Sequence, residues 1–453
     1  MPPPTLPTEI ISEIFSWINT SFIGSDRLKT LISCCLASSS WRTLAQPLLL
    51  SRVMIKIGAP RSQKIATAIQ TFPRFKTHVD RLWVNVGFPA GSIQELGSLA
   101  DTGPWQLKGF RLWVEDSGIQ DHYRRSIPFR SAFDLLISSD RLTSLSLCGL
   151  TLSSSVLLSV PATLAELELA DVSFHDMQLS STSTAAAPAF GLGKPQKLES
   201  STDSPAPRPC IRKLCVVTSH GLLAWFVQPH CPLDFSQLET LSLSRGPDEN
   251  AYTPEGFEPI RAFLDLVAPT IKHLSYGLLT RDFSILNGPS PFPFDKMKRL
   301  QTLSPVLGTR NGPYEFSWIR DFLANVPQLK VICVYGNLHT HVSNPVNVAG
   351  WHKLDDELGV LYTGVGVYFS PLVRYILDWR EKQRNGHLAK FLKNVPKLRE
   401  QGRITVYPSF GPGCPVEDDF QVLLSLTGTS HIPVTSFHAQ EVHQVLWRYA
   451  LDI

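Results

Sequence analysis

Charge is scarce in this chain: Asp, Glu, Lys and Arg make up 18% of its residues, against roughly a quarter in an ordinary globular protein. The net value is +3 with His neutral, and no run of five Lys or Arg occurs. The basic footprint of a nucleic-acid or membrane-surface binder is therefore missing, and neither partner is expected. The eight cysteines form no Cys-x-x-Cys pair, so zinc-ribbon and thioredoxin-type chemistry lacks its ligands, and free thiols in a reducing compartment are expected. Glu9 and Glu13 precede the first base, Arg27. The cationic start of a secretory leader is thus absent, and the expected location is cytoplasmic and/or nuclear. The long uncharged stretch, Leu142 to Ala165, holds nine Ser or Thr and is interrupted by Pro161, so no membrane span is expected.

Catalytic signatures are also lacking. Gly364 and Gly366 follow an apolar segment, but the third glycine of a dinucleotide fingerprint would fall at Phe369. Gly191-Leu192-Gly193-Lys194-Pro195 lacks the upstream glycine and the hydroxyl residue of a phosphate-binding loop. No Gly-x-Ser-x-Gly elbow and no His-Glu-x-x-His occur. His339 and His341 would share one strand face near Cys333, yet two histidines with no placed third ligand do not make a metal site. The expectation is a chain that is not an enzyme, with no catalytic residue, no metal and no cofactor.

What the sequence has is apolar periodicity. Its 453 residues exceed the roughly 250 to 300 at which one core stops growing, so it is either several domains or a repeat architecture. Its 35 prolines suit many short punctuated segments. Residues 5–50 read as three short helices, within an N-terminal domain of residues 1–50. Pro7 suits a first helical position, after which Ile10, Ile14 and Ile18 recur every fourth residue beside Ile11 and Phe15. Asp26 is a candidate cap for a second helix, with Leu28, Leu31, Ile32, Cys35 and Leu36 on one stripe. Ser38 to Ser40 lead into Trp41, Leu44, Ala45 and Leu48, a third series broken by Pro47.

From residue 79 an apolar residue is repeatedly followed by others three and five positions later. The copies are Val79-Leu82-Val84, Leu107-Phe110-Leu112, Leu142-Leu145-Leu147, Leu164-Leu167-Leu169, Ile211-Leu214-Val216, Leu238-Leu241-Leu243, Ile271-Leu274-Tyr276 and Leu329-Ile332-Val334, with a partial copy at Leu300 and Leu303. The last two positions alternate as a strand requires, and amphipathic segments such as Ile260 to Val267 and Trp318 to Val326 lie between copies. The predicted unit is strand plus helix, with spacings from 22 to 47 residues. The longest gap contains Gln178 to Pro209, with nine Ser or Thr and five Pro, a composition predicted to be a disordered insertion. Past residue 340 the pattern fades. Gly359 to Phe369 and Arg403 to Tyr407 read as strands around a helix from Leu372 to Lys382, a divergent set of repeats or a cap over 341–453.

With Leu6-Pro7-Thr8-Glu9-Ile10-Ile11, Ile14-Phe15, Leu31, Leu36, the serine run and Trp41 in view, the N-terminus resembles an F-box. Ser39 departs from the basic residue that many members carry before the Trp. The resemblance implies three helices that bind the Skp-type adaptor of a cullin-RING ubiquitin ligase through Leu6, Pro7, Ile10, Ile11, Ile14, Leu31, Leu36 and Trp41. Residues 51–340 resemble the irregular leucine-rich repeats of fungal F-box proteins. Regular members hold an Asn or Cys five positions after the second apolar residue, where this chain has Leu150, Val172 and Gly246. The implied fold is α/β, a three-helix F-box followed by an irregular leucine-rich-repeat-like solenoid. The implied function is a substrate-recognition subunit that holds adaptor, cullin scaffold and an unknown target protein together. The competing reading is an interaction scaffold with an F-box-like hairpin and no ligase role.

The strand residues that alternate with the apolar ones should line one face. Aligning the copies sets Arg81, Trp83 and Asn85 beside Arg111 and Trp113, then Ser144, Ser146 and Cys148, then Glu166 and Glu168. Arg81, Trp83, Arg111, Trp113, Glu166 and Glu168 are the candidate target-binding residues, since Trp and Arg dominate interface hot spots and the acidic pair would orient a partner. The other possibility is that both indoles cover neighbouring strands or pack on residues 51–78.

Overall fold

The computed structural model describes residues 7–21, 24–57, 67, 71, 73–86, 105–114, 127–174, 208–217, 221–229, 231–244, 254–278, 292–307, 323–336, 345–362, 364–371 and 389–406. Three helices come first: α1 (Thr8–Ser21), α2 (Gly24–Ala37) and α3 (Ser39–Leu50). Pro7 stands just ahead of α1, and its carbonyl accepts the Ile11 N–H at 3.1 Å. Helix α2 begins at Gly24, which puts Asp26 inside the first turn and not at the cap. Ser38 caps α3 by accepting the Trp41 N–H at 3.1 Å. Pro47 does not break α3, which continues to Leu50. Packing outweighs the missing hydrogen bond, because Leu48 and Leu49 lie against a small core of Phe15, Ile18, Leu31, Cys34 and Ala45. Ser51 then closes the helix, its N–H and hydroxyl both donating to the Leu48 carbonyl at 3.3 and 2.7 Å.

Beyond Ser51 the chain builds strands: β1 (Arg52–Ile57), β2 (Arg81–Val86), β3 (Gly109–Val114), β4 (Ser144–Leu152), β5 (Glu166–Phe174), β6 (Lys213–Val217), β7 (Thr240–Ser244), β8 (His273–Leu278), β9 (Thr302–Leu307), β10 (Val331–Gly336), β11 (Gly366–Pro371) and β12 (Ile404–Val406). They form one twelve-stranded sheet in chain order, with neighbouring strands parallel. Parallel neighbours require crossovers, and helices α4 (Ile127–Ile137), α5 (Gly221–Phe226), α6 (Pro254–Val267), α7 (Pro345–Val360) and α8 (Pro396–Glu400) lie in them. The protein is therefore a mixed α/β chain with a parallel sheet.

The apolar triplets stack in register. Leu82, Phe110, Leu145, Leu167, Leu214, Leu241, Leu274 and Leu303 are successive Cα partners across eight strands. The triplet side chains of the six copies from Val79 to Leu243, with Ile271, Leu274, Leu300, Leu303, Leu329 and Ile332, are buried, none above 4% exposed. They share one core with Phe133 and Leu136 of α4, Leu222 and Phe226 of α5, and Phe263 and Leu264 of α6. The helices thus cover one face of the sheet, while Arg81, Trp83, Arg111 and Trp113 stay partly exposed on the other. A backbone device repeats at the strand starts. One carbonyl accepts two successive N–H groups of the next strand, beginning with Ser51 (from Asp80 and Arg81) and running to Gln301 (from Lys330 and Val331), at 2.7–3.1 Å.

Strands β4 and β5 bend together where Gly149 (φ 69) and Asp171 (φ 51) adopt left-handed backbone. The bend shifts the inward parity, so Leu147 is followed in the core by Leu150, and Leu169 by Val172. Leu150 and Val172 pair with each other and are buried. Apolar residues suit those positions because the chain continues as strand there, with no turn amide to satisfy. Gly246 lies outside the described residues.

The C-terminal region departs from expectation. Gly359 to Phe369 is not a strand throughout: α7 runs to Val360 and β11 starts at Gly366. A Cβ at Gly359 would stand 2.8 Å from the Lys397 Cβ, so this residue lets α8 cross the end of α7. Strands β11 and β12 extend the same parallel sheet. Asp355 is 1% exposed and accepts the N–H groups of Lys397 and Leu398 at 3.0 and 2.8 Å, fixing the start of α8. Arg403 donates to the carbonyls of Leu358 (2.8 Å), Tyr362 (2.6 Å) and Val365 (2.6 Å), capping the end of α7. The expected helix from Leu372 to Lys382 lies outside the described residues, as does most of 178–209. Pro209 within that interval is buried, and its carbonyl accepts the Asp234 N–H at 2.9 Å.

Candidate functional site

Two surfaces hold the residues singled out from the sequence. The first is on the N-terminal helices. Ile10 and Ile14, one turn apart on α1, are 45% and 38% exposed, and Ile32 and Leu36, one turn apart on α2, are 41% and 76% exposed. Pro7 is exposed and Ile11 is half-buried. Leu31 faces inward with no exposure. Trp41 is half-buried, its ring edge-on to Phe15 with centroids 5.8 Å apart. Leu31 and Trp41 therefore build the support beneath the stripe, while Pro7, Ile10, Ile14 and Leu36 form its surface. Leu6 lies outside the described residues. Ile32 is exposed on α2 as Leu36 is, although it was not among the eight expected residues. Its i,i+4 spacing with Leu36 carried the signal.

The second surface is the uncovered face of β2 to β6. Trp83 is the Cα partner of Arg111, Arg111 of Ser146, and Ser146 of Glu168. The Arg111 guanidinium lies between the two indoles, 6.0 Å from the Trp83 ring and 5.8 Å from that of Trp113, within reach of cation–π attraction. It also reaches across β4 to Glu168, Nη2 to Oε1 being 3.5 Å, with both side chains nearly buried at 13% and 11% exposure. The other Glu168 oxygen accepts the Ser146 hydroxyl at 2.5 Å. Glu166 is paired instead with Lys213 of β6, Nζ to Oε1 being 2.6 Å. Trp113 packs on a small apolar patch of Cys148, Ala170 and Val217, beside Cys215.

Five of the six expected residues therefore line one depression, joined by Gly109, Ser144, Ser146 and Lys213, while Trp113 stands one register step away. Its volume of about 50 Å³ is far below the roughly 300–1,000 Å³ of a small-molecule site. Lys213 was missed from sequence. It occupies the same slot in its copy as Glu166 does in the one before, so alignment of the copies contained it. Ion pairs also line the strand starts, with Asp80–Lys108 at 3.0 Å and Glu239–Lys272 at 2.7 Å. These are substantially exposed, worth about 0–1 kcal/mol each, and act on register more than on stability.

Among the described residues no group of three His, Cys, Asp or Glu could hold a metal ion. His339 and His341 lie outside them. No helix among the described residues is long and apolar enough to cross a membrane. Compared with models of known families and with curated proteins, the chain matches none.

Proposed function

We propose that this chain is a non-catalytic substrate-recognition subunit of a cullin-RING ubiquitin ligase. In this reading α1 to α3 are an F-box that docks on a Skp-type adaptor, and the sheet is an irregular leucine-rich-repeat solenoid that offers its uncovered face to a target protein. The observation that supports it most is the pair of exposed apolar side chains one turn apart on each of α1 and α2, Ile10 with Ile14 and Ile32 with Leu36, left on the surface after the helices have built a core of their own. Surface stripes of this kind mark protein interfaces. The chain would carry out no bond chemistry. It would act by proximity, raising the effective concentration of target lysines near a charged ubiquitin carrier. The six described free cysteines accord with a reducing compartment, and the proposed location is cytoplasmic and/or nuclear.

A scaffold without ligase role is the second reading. The direct junction of α3 with β1 through buried Ser51 favours it, because the helices are then part of the body. Affinity purification of the full chain followed by mass spectrometry separates the two. Recovery of adaptor and cullin together supports the ligase reading, whereas adaptor without cullin, or neither, sinks it.

A further inference from the structure

Arg111 and Glu168 face each other in the depression between β2 and β6 without a hydrogen bond. Their side chains are 13% and 11% exposed, and Nη2 stands 3.5 Å from Oε1, longer than a hydrogen bond. Glu168 Oε2 is engaged by the Ser146 hydroxyl, but the buried Oε1 has no hydrogen-bond partner. The contacts of Arg111 are the Trp83 and Trp113 rings and this carboxylate, and none of them is a hydrogen bond. A buried acceptor in that condition is destabilising until a donor reaches it.

Formal charge does not choose the donor. Arg81, Arg111 and Lys213 stand against Glu166 and Glu168. Lys213 is paired with Glu166, and Arg81 has a partner of its own within the chain. A carboxylate entering here would meet Oε1, and an ammonium would meet Arg111 beside it. A neutral group avoids both repulsions, provided that it donates to Oε1 and accepts from Arg111 together.

Geometry narrows the choice. A hydroxyl's donor and acceptor directions diverge, which sets its two partners about 4–5 Å apart at ordinary hydrogen-bond lengths. In a primary carboxamide the C=O and the N–H syn to it point the same way, so two near-parallel bonds set their partners about 2–4 Å apart. The 3.5 Å between Nη2 and Oε1 suits the carboxamide. Gly109, with no side chain, and Ser144, with a short one, leave the room for it. The volume is about 50 Å³. A single water needs roughly 10–15 Å³, so about three or four non-hydrogen atoms fit, and a carboxamide head has three.

We propose that this depression receives the side-chain carboxamide of a Gln or Asn from an exposed segment of a partner protein. Its N–H donates to Glu168 Oε1 and its C=O accepts from Arg111. With no directional bond to break, Arg111 moves at little cost to admit it. The seat rests on the reading of the uncovered face as the target surface, and it is independent of the adaptor.

The test is fluorescence anisotropy on the full chain with labelled octaglutamine, octaserine, octaglutamate and octalysine. Octaglutamine binds in preference to the other three. Its affinity holds nearly constant as salt rises from about 50 to about 300 mM, because it brings in no charge. Glu168→Gln lowers that affinity about tenfold by replacing a charge-assisted bond with a neutral one. Ser144→Leu fills the floor and abolishes binding, while the exposed control Lys353→Gln leaves it unchanged. Should Ser144→Leu unfold by circular dichroism, the Glu168→Gln ratio decides. Octaserine binding as well as octaglutamine, tighter binding of octaglutamate or octalysine, or full affinity in Glu168→Gln each overturns the proposal. Adaptor co-purification is scored on the same preparations. Adaptor retained with no octaglutamine binding sinks this proposal alone, and octaglutamine bound with no adaptor sinks the ligase reading alone.

Discussion

Replacing Ile10 and Ile14 together with Asp tests the helical stripe. The two side chains are 45% and 38% exposed, so most of one side chain's area is available for burial on docking. With Ile32 and Leu36 the available area is that of about two side chains, or about 3–6 kcal/mol of apolar burial. The double change forfeits close to half of that. It also requires two carboxylates to be desolvated without partners, at several kcal/mol each in a dry interface. A total loss above about 4 kcal/mol is roughly a thousandfold in Kd, beyond what a pull-down retains. The free protein loses little, since both side chains already face water. Repulsion of the new charges by Glu9 and Glu13 costs about 0.2–0.5 kcal/mol per pair, partly offset by the positive end of the α1 dipole. The assay is co-expression with a Skp-type adaptor, with a thermal melt of the variant alone. A variant that melts like the parent and still captures the adaptor refutes the reasoning.

Gly149→Ala forces an L side chain into φ 69 with its Cβ 2.4 Å from the Val114 carbonyl oxygen, so a loss of about 2–4 kcal/mol is expected in denaturant unfolding; an unchanged midpoint would mean that the β4 bend is not needed. Asp355→Ala removes two charge-assisted caps, each worth about 1.5–3 kcal/mol. Amide exchange should quicken over residues 396–406 and stay slow in β4 to β6, and a uniform change would refute the assignment. Stability should fall on acidification from about pH 7.5 to about pH 5. Burial, then Lys272 and Lys213 against the opposing pull of Glu239, hold the His273 imidazole below its usual pKa, and the hydrogen bond from Lys272 holds Glu239 below its own. Protons thus favour the unfolded chain, so stability present above about pH 6.5 for the histidine, and above about pH 4.3 for the glutamate, is lost as pH falls. His273→Gln should flatten the upper part of that slope in melts, and an unaltered slope would show that other groups carry it.

The sheet was legible because its core obeys a short rule: apolar side chains at three fixed positions, each meeting its copy in the next strand. Where the rule is diluted, it was missed. Leu50, Val53 and Ile55 satisfy the spacing and lead into β1, but Leu50 also ends α3, so the helical pattern masked the first copy. In β11 and β12 the first position is held by Gly364 and Gln401, so strands were expected at Gly359 to Phe369 and Arg403 to Tyr407 but their place as further copies of the triplet was not. The uncovered face was legible as an alignment of Trp83, Arg111 and Glu168, because parallel strands without slippage preserve positions. Its internal pairing was not. Whether Glu168 meets Arg111 or Lys213 depends on side-chain reach across β4, where Ser146 is short enough to let the arginine pass. Pro47 misled for the opposite reason: local preference argued for a break, and burial of Leu48 and Leu49 overrode it.

The doubled hydrogen bond at the strand starts has a consequence for how freely such a chain can change. From β2 to β10, alignment of each strand on its predecessor is fixed by a main-chain carbonyl, a group that every amino acid supplies. Mutation cannot erase it except through proline at the two donating positions. The segments between strands carry little of that task, so they can lengthen or shorten while the sheet keeps its order, provided that side chains such as Phe133, Phe226 and Phe263 still cover its inner face. What heredity must preserve is then three apolar side chains in each copy and an apolar helix face to cover them. Descendants of such a chain would keep the architecture long after their residues had ceased to look alike.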